Sequence, residues 1–92
     1  MRLKDKVAIV TGAGSGFGEG IARKFIAEGA KVLLVDLRGE AAERAAELLG
    51  GESVARAWHA DVSSASATKN MFDAAERFFG PLDILVNNAG IT

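Results

Sequence analysis

The chain has 92 residues with 11 Lys+Arg against 12 Asp+Glu, a net charge of −1. That balance offers no basic stripe for a phosphate backbone and argues against a nucleic-acid binder. With no Cys, no Tyr and one His, disulfides, cysteine zinc sites and tyrosine proton transfer are excluded, and a reducing cytoplasm is the compartment expected. No apolar run approaches the ~20 residues of a membrane helix, and the run after Lys6 is too short for a signal peptide. The size suits one small domain.

Val7-Ala8-Ile9-Val10 is a continuous apolar run, the pattern of a strand buried on both faces. Glycine-rich Gly12–Gly18 follows, and then Ile21, Ala22, Phe25 and Ile26 recur at helical spacing up to Gly29. Val32–Val35 is a second strand that ends at Asp36. The helical pattern returns over 40–49, with Ala41, Ala45, Leu48 and Leu49 expected to face a sheet and Gly50-Gly51 ending it. A third strand is predicted over 54–59. After Asp61-Val62, Ser63 or Ser64 caps a helix whose apolar face is Met71, Phe72, Ala75, Phe78 and Phe79. Gly80-Pro81 stops it. A fourth strand, Ile84–Val86, runs into Asn87-Asn88-Ala89-Gly90. Trp58 and the five Phe are expected in the core.

The order βαβαβαβ, with connections too long for hairpins, predicts an α/β fold: an open parallel sheet, strand order 3-2-1-4, helices on both faces. That order sets a switch point between strands 1 and 4. Ligands of such sheets bind there, outside the carboxyl ends of the strands. Gly12–Gly18, Asp36, Asp61-Val62 and Asn88-Ala89-Gly90 would line the crevice.

The strict G-x-G-x-x-G spacing fails in every frame, its third glycine falling on Phe17, Glu19 or Ile21, and no Walker A pattern exists. What fits is Thr-Gly-x-x-x-Gly-x-Gly at Thr11, Gly12, Gly16 and Gly18. With Asp36, Asp61-Val62 and Asn87-Asn88-Ala89-Gly90 closing successive strands, it resembles the cofactor signature of the short-chain dehydrogenase/reductase family, over the whole chain. The opening and the Asn-Asn-Ala-Gly-Ile-Thr ending also resemble 3-oxoacyl carrier-protein reductases, though both are common across the family. Taken alone, the glycines also fit a tight turn with no ligand.

The resemblance implies a partial Rossmann domain that binds a nicotinamide dinucleotide. Gly12, Ser15, Gly16, Phe17 and Gly18 would meet the pyrophosphate side. Asp36 would accept from the adenosine ribose hydroxyls, which favours NAD over NADP. Ser15 stands where NADP-preferring members often carry a basic residue, and Arg38 is the counterweight. Asp61 and Val62 would hold the adenine; Asn88, Ala89 and Gly90 would line the ribose. The bland reading of Asp36 is a turn residue and of Asp61 a helix cap. Thr11 and Asn87 would brace the sheet. Phe17 replaces a smaller aliphatic residue of the family and would either reshape the pocket wall or pack harmlessly. His59 and Asp61 would share a strand face, but one His without Cys does not complete a zinc set. The family's Ser, Tyr and Lys catalytic set is missing, so no catalytic residue is assigned. The chain reads as the first half of a dehydrogenase acting on an alcohol or ketone, inactive alone. The fourth strand's outer edge would then be bare, which favours a homo-oligomer through that edge. An assembly module without nucleotide binding and a flavodoxin-like phosphate-ester binder are the other readings.

Overall fold

The computed structural model describes residues 2–88. Its elements are β1 (Val7–Thr11), α1 (Gly16–Ala27), β2 (Lys31–Asp36), α2 (Gly39–Leu48), β3 (Ala55–His59), α3 (Ala65–Phe79) and β4 (Ile84–Val86). The four strands form one sheet in the order β3-β2-β1-β4, and every pairing is parallel. This is the expected doubly wound α/β layer.

The topology follows from chain direction. The path β1 to β2 to β3 steps one way across the sheet, and the step from β3 to β4 crosses back. Right-handed crossovers therefore put α1 and α2 on one face and α3 on the other. The core divides accordingly. Ala8, Val10, Val32 and Leu34 pack with Ala22, Ala45 and Ala46. Ile9, Leu33 and Val35 pack with Met71, Ala74 and Ala75. The period-2 alternation of a strand sends its neighbouring side chains to opposite layers. Every residue of β1 is buried, which explains its unbroken apolar run.

Small residues set the layer spacing. The buried stripe of α2 is Ala41, Ala42, Ala45 and Ala46. Leu48, expected on that stripe, is 72% exposed. At about 100° per residue the stripe centres between Ala42 and Ala45, and Leu48 lies about 90° from that centre, in the last turn. Leu49, nearer the centre, packs against the core. In α3 the deepest contacts come from Met71, Ala74 and Ala75, while Phe72, Phe78 and Phe79 pack around them partly buried. Phe17 departs from the core expectation for the Phe residues: it stands 85% exposed. It is the second residue of α1, in the first turn after the glycine-rich segment. Trp58 meets Phe78 edge to face, ring centroids 6.1 Å apart.

One fastening between β1 and β4 is invisible to pattern reading. The backbone amide of Val7 donates to Asp83 Oδ2 at 2.9 Å, and the Asp83 amide donates to the Val7 carbonyl at 2.9 Å. Among the described residues, no helix is long and apolar enough to cross a membrane.

Candidate functional site

The turn after β1 is the tightest part of the molecule. Gly12 and Gly16 sit at φ 63° and 61°, in the left-handed region where a side chain is strained. Gly18 is buried beneath the turn. A Cβ there would lie 2.0 Å from the Gly12 carbonyl oxygen and 2.8 Å from the Asn88 Nδ2. Only a glycine lets α1 begin so close to the end of β1. Ser15 precedes α1 in extended backbone and makes no side-chain capping bond. The first amides of α1 are thus left uncapped by any side chain of the turn, and this end carries the helix's partial positive charge.

The other strand ends close around this turn. From β2, Asp36 accepts from the Gly14 amide on Oδ2 at 2.8 Å and from the Arg38 amide on Oδ1 at 2.9 Å. The Ala13 amide donates to the Val35 carbonyl at 3.0 Å. From β4, Asn88 Nδ2 donates to the Gly12 carbonyl at 3.4 Å, and the Asn88 amide donates to Thr11 Oγ1 at 2.8 Å. Thr11 Oγ1 also lies 3.1 Å from Asn87 Oδ1 and 3.4 Å from the Val86 carbonyl. The buried Thr11 hydroxyl thus ties β1 to β4, the bracing expected of it.

Beyond β3, Asp61 folds back on its own loop. Its Oδ1 accepts from the Ser63 hydroxyl at 2.6 Å and from the Ser63 amide at 3.0 Å. The Ser63 hydroxyl, followed by its amide, holds the Asp61 carboxyl below the ordinary carboxylate range. Asp61 is therefore not the cap of α3. Ser64 is that cap, accepting from the Ala67 amide at 3.3 Å. β3 ends at His59, so Asp61 lies past the strand and does not share its face.

These ends enclose a cavity of about 380 Å³, bordered by Gly12, Asp36, Leu37, Asp61, Val62 and Asn87 among others. It lies outside the carboxyl ends of the strands, beside the β1–β4 switch point. Among the described residues, two carboxylates and no cationic side chain border it. Such a lining accepts hydrogen bonds from hydroxyl or amino groups, while Leu37, 63% exposed, and Val62 offer apolar surface. The phosphate-attracting feature, the start of α1, lies to one side.

Of the residues singled out from sequence, Gly12, Asp36, Asp61 and Val62 border the cavity together. Asn88 and Gly18 lie behind Gly12 as its support. Ser15, Gly16 and Phe17 are exposed at the start of α1, outside the cavity wall. Ala89 and Gly90 lie outside the described residues. Asn87, Leu37 and Ser63 line the cavity without having been expected there. Adjacency to a strand's end was the available signal for the first two. Ser63 becomes visible only through its bonds to Asp61.

A parallel 3-2-1-4 sheet with a glycine turn and an acid at the end of its second strand defines a protein of the Rossmann class. The chain belongs to the short chain dehydrogenase family, whose model matches residues 6–92. Zerumbone synthase of Zingiber zerumbet is 46% identical over 92 residues, which are 100% of this chain and 34% of that enzyme. The NADP-dependent (R)-specific alcohol dehydrogenase of Lentilactobacillus kefiri is 47% identical over 90 residues, 98% of this chain and 36% of that enzyme. The solved 3-ketoacyl-(acyl-carrier-protein) reductase of Brucella melitensis, complexed with NADH, superposes with a TM-score of 0.85 at 47% identity, over 90% of this chain and 34% of that one. The chain thus spans about a third of the length of the relatives it matches.

Proposed function

We propose that residues 1–92 form the cofactor-binding first half of a nicotinamide-dependent oxidoreductase, with NAD preferred over NADP. The observation that carries this is the convergence of Gly12, Asp36, Asp61 and Asn88, from four strand ends, around one cavity and its floor. The residues fit such a group. The glycine turn is a cradle that a Cβ at position 18 would fill, and the acids offer acceptors to sugar and base. In this reading Asp36 accepts from the adenosine ribose hydroxyls. Asp61, kept ionised by Ser63, accepts from the adenine amino group beside Val62. The uncapped amides over Ser15–Gly18 face the pyrophosphate, with Phe17 at its margin. Asn88, Ala89 and Gly90 serve the ribose side.

Kinship supports a nicotinamide cofactor without choosing between its two forms, since one relative is NADP-dependent and another holds NADH. Asp36 supports the preference for NAD: a half-buried carboxylate beside a 2′-phosphate sets like charges together, and among the described residues no cationic side chain lines the cavity to offset them. When bound, the cofactor supplies hydride chemistry. This chain has no Tyr, so the proton-transfer residues of a parent enzyme acting on an alcohol or ketone would come from outside it. A reducing cytoplasm is the proposed setting for a chain without Cys.

Calorimetric titration tests the reading. NAD is expected to bind more tightly than NADP, and Asp36→Ala to weaken NAD by about 10- to 100-fold, the worth of one or two hydrogen bonds to a charged group. NADP binding as tight as NAD would overturn the preference. No response to either would leave an assembly module, and a response to FMN alone would leave a phosphate-ester binder.

We also propose that the chain self-associates through the outer edge of β4. The sheet order leaves that edge without a partner among the described residues.

A further inference from the structure

The Asp36 carboxylate is engaged by the protein's own backbone. Its Oδ2 holds the Gly14 amide at 2.8 Å and its Oδ1 holds the Arg38 amide at 2.9 Å. Those amides belong to separate pieces of chain. Gly14 lies in the turn between β1 and α1, and Arg38 is the residue that starts α2. The same three pieces are in close contact. A Cβ on Gly14 would fall 2.7 Å from the Ala41 Cβ and 2.8 Å from Asp36 Oδ2. So the first turn of α2 and the end of β2 together clasp the middle of the glycine turn.

We infer that Asp36 is the positioning residue of the glycine turn. It fixes Gly14 by its own hydrogen bond, and through Gly14 it sets the arrangement that receives a diphosphate it does not itself touch. The second half of this inference rests on the nucleotide reading above; the first half does not. Fastening and recognition are compatible. A carboxylate has about four lone-pair sites, and the two amides use one on each oxygen. One site per oxygen remains, a pair suited to the two neighbouring hydroxyls of a ribose. One carboxylate thus joins the shape of the turn to the grip on the sugar. Substituting Asp36 to change cofactor preference therefore alters the turn as well as the charge.

The decisive measurement is amide hydrogen exchange without nucleotide in wild type, Asp36→Ala, Asp36→Leu and Asp36→Asn. The Leu variant keeps the branched shape without an acceptor, and stands in should the Ala variant fold poorly. In both, exchange at Gly14 is expected to quicken by about tenfold or more, the loss of a hydrogen bond to a charged group. Ala13, bonded to the Val35 carbonyl, keeps its rate as an internal control. Asp36→Asn keeps one acceptor oxygen for two amides, so it is expected to hold either Gly14 or Arg38 near the wild-type rate and to quicken the other. Wild-type exchange at Gly14 in the Leu variant, or wild-type exchange at both Gly14 and Arg38 in the Asn variant, overturns the fastening.

Inorganic pyrophosphate, followed by amide shifts, tests the second half. Removing a negative charge should by itself strengthen anion binding. A several-fold weakening in Asp36→Leu therefore reports the lost arrangement of the turn. Equal or stronger binding, or none in the wild type, overturns that half. A chain whose Gly14 exchange responds but which ignores NAD would retain the fastening and lose the nucleotide reading. The reverse pattern would do the opposite.

Discussion

Gly18 and Gly20 lie two residues apart in α1 and answer to opposite constraints. A Cβ at Gly18 would meet the Gly12 carbonyl at 2.0 Å, a backbone atom that cannot swing aside, whereas a Cβ at Gly20 has nothing within 4 Å. Gly18→Ala is therefore expected to cost about 1–3 kcal/mol or more as an overpacked contact. Gly20→Ala should gain about 0.5–1 kcal/mol from helix propensity alone. Denaturant midpoints of the two variants check both signs. The spacing of the glycine motif marked Gly18, but its reason is a distance across the turn that no spacing contains. Asp61 carries the second prediction at this scale. Its folded carboxyl titrates below the ordinary value of about 3.9 because Ser63 hydrogen-bonds the ionised form. Its contribution to stability is thus present above the ordinary carboxylate range and is lost as pH falls through the lower, folded value. Ser63→Ala removes the first of the two causes and should move the Asp61 midpoint upward, as read by carbon-detected NMR titration. An unmoved midpoint would assign the effect to the Ser63 amide alone.

The helices differ in how they begin, and the difference is testable element by element. Ser64 caps α3 through the Ala67 amide, while Ser15 precedes α1 with no such bond. Ser64→Ala should lower stability by about 1 kcal/mol, as cap removals do. Ser15→Ala should leave the ligand-free fold nearly unchanged. Comparable losses in thermal melts of both would remove the distinction on which the open start of α1 rests. Element order and type were legible because each strand is a short apolar run and each helix an amphipathic one, separated by Gly, Pro or Ser. Leu48 was misplaced because α2 buries alanines, and a large side chain near the stripe's edge looks more buried than it is. Phe17 was misplaced because an aromatic residue among glycines carries no periodic signal of its own. The convergence at the site was legible from topology, since parallel strands deliver all their carboxyl ends to one side. Which side chains border the cavity was not, because Asn87, Leu37 and Ser63 depend on loop paths that no period describes.

For the whole molecule, the two faces of the sheet are unequally covered. Among the described residues, two helices lie on one face, and α3 covers the other, over Ile9 and Leu33. Leu85 is the register partner of Ile9, so its side chain points to the α3 face. Yet Ile9 is fully buried and Leu85 is 47% exposed, because α3 packs chiefly over β1 and β2. Among the described residues, β4 has three residues and pairs with β1 and no other strand. Its outer backbone groups and Leu85 together form a bare edge beside an apolar spot, the combination that pairs chains. Self-association should therefore appear at tens of micromolar in size-exclusion chromatography with light scattering, and the melting temperature should rise with concentration. Leu85→Lys adds a charge to that edge at a half-exposed position beside Ile9, and is expected to shift the molecule toward monomer. Its β1–β4 fastening is retained through Val7 and Asp83, so the change reads association and not collapse of the strand. A wild-type chain that stays monomeric, with a melting temperature independent of concentration, would mean that the short length of β4 is itself enough to blunt the edge.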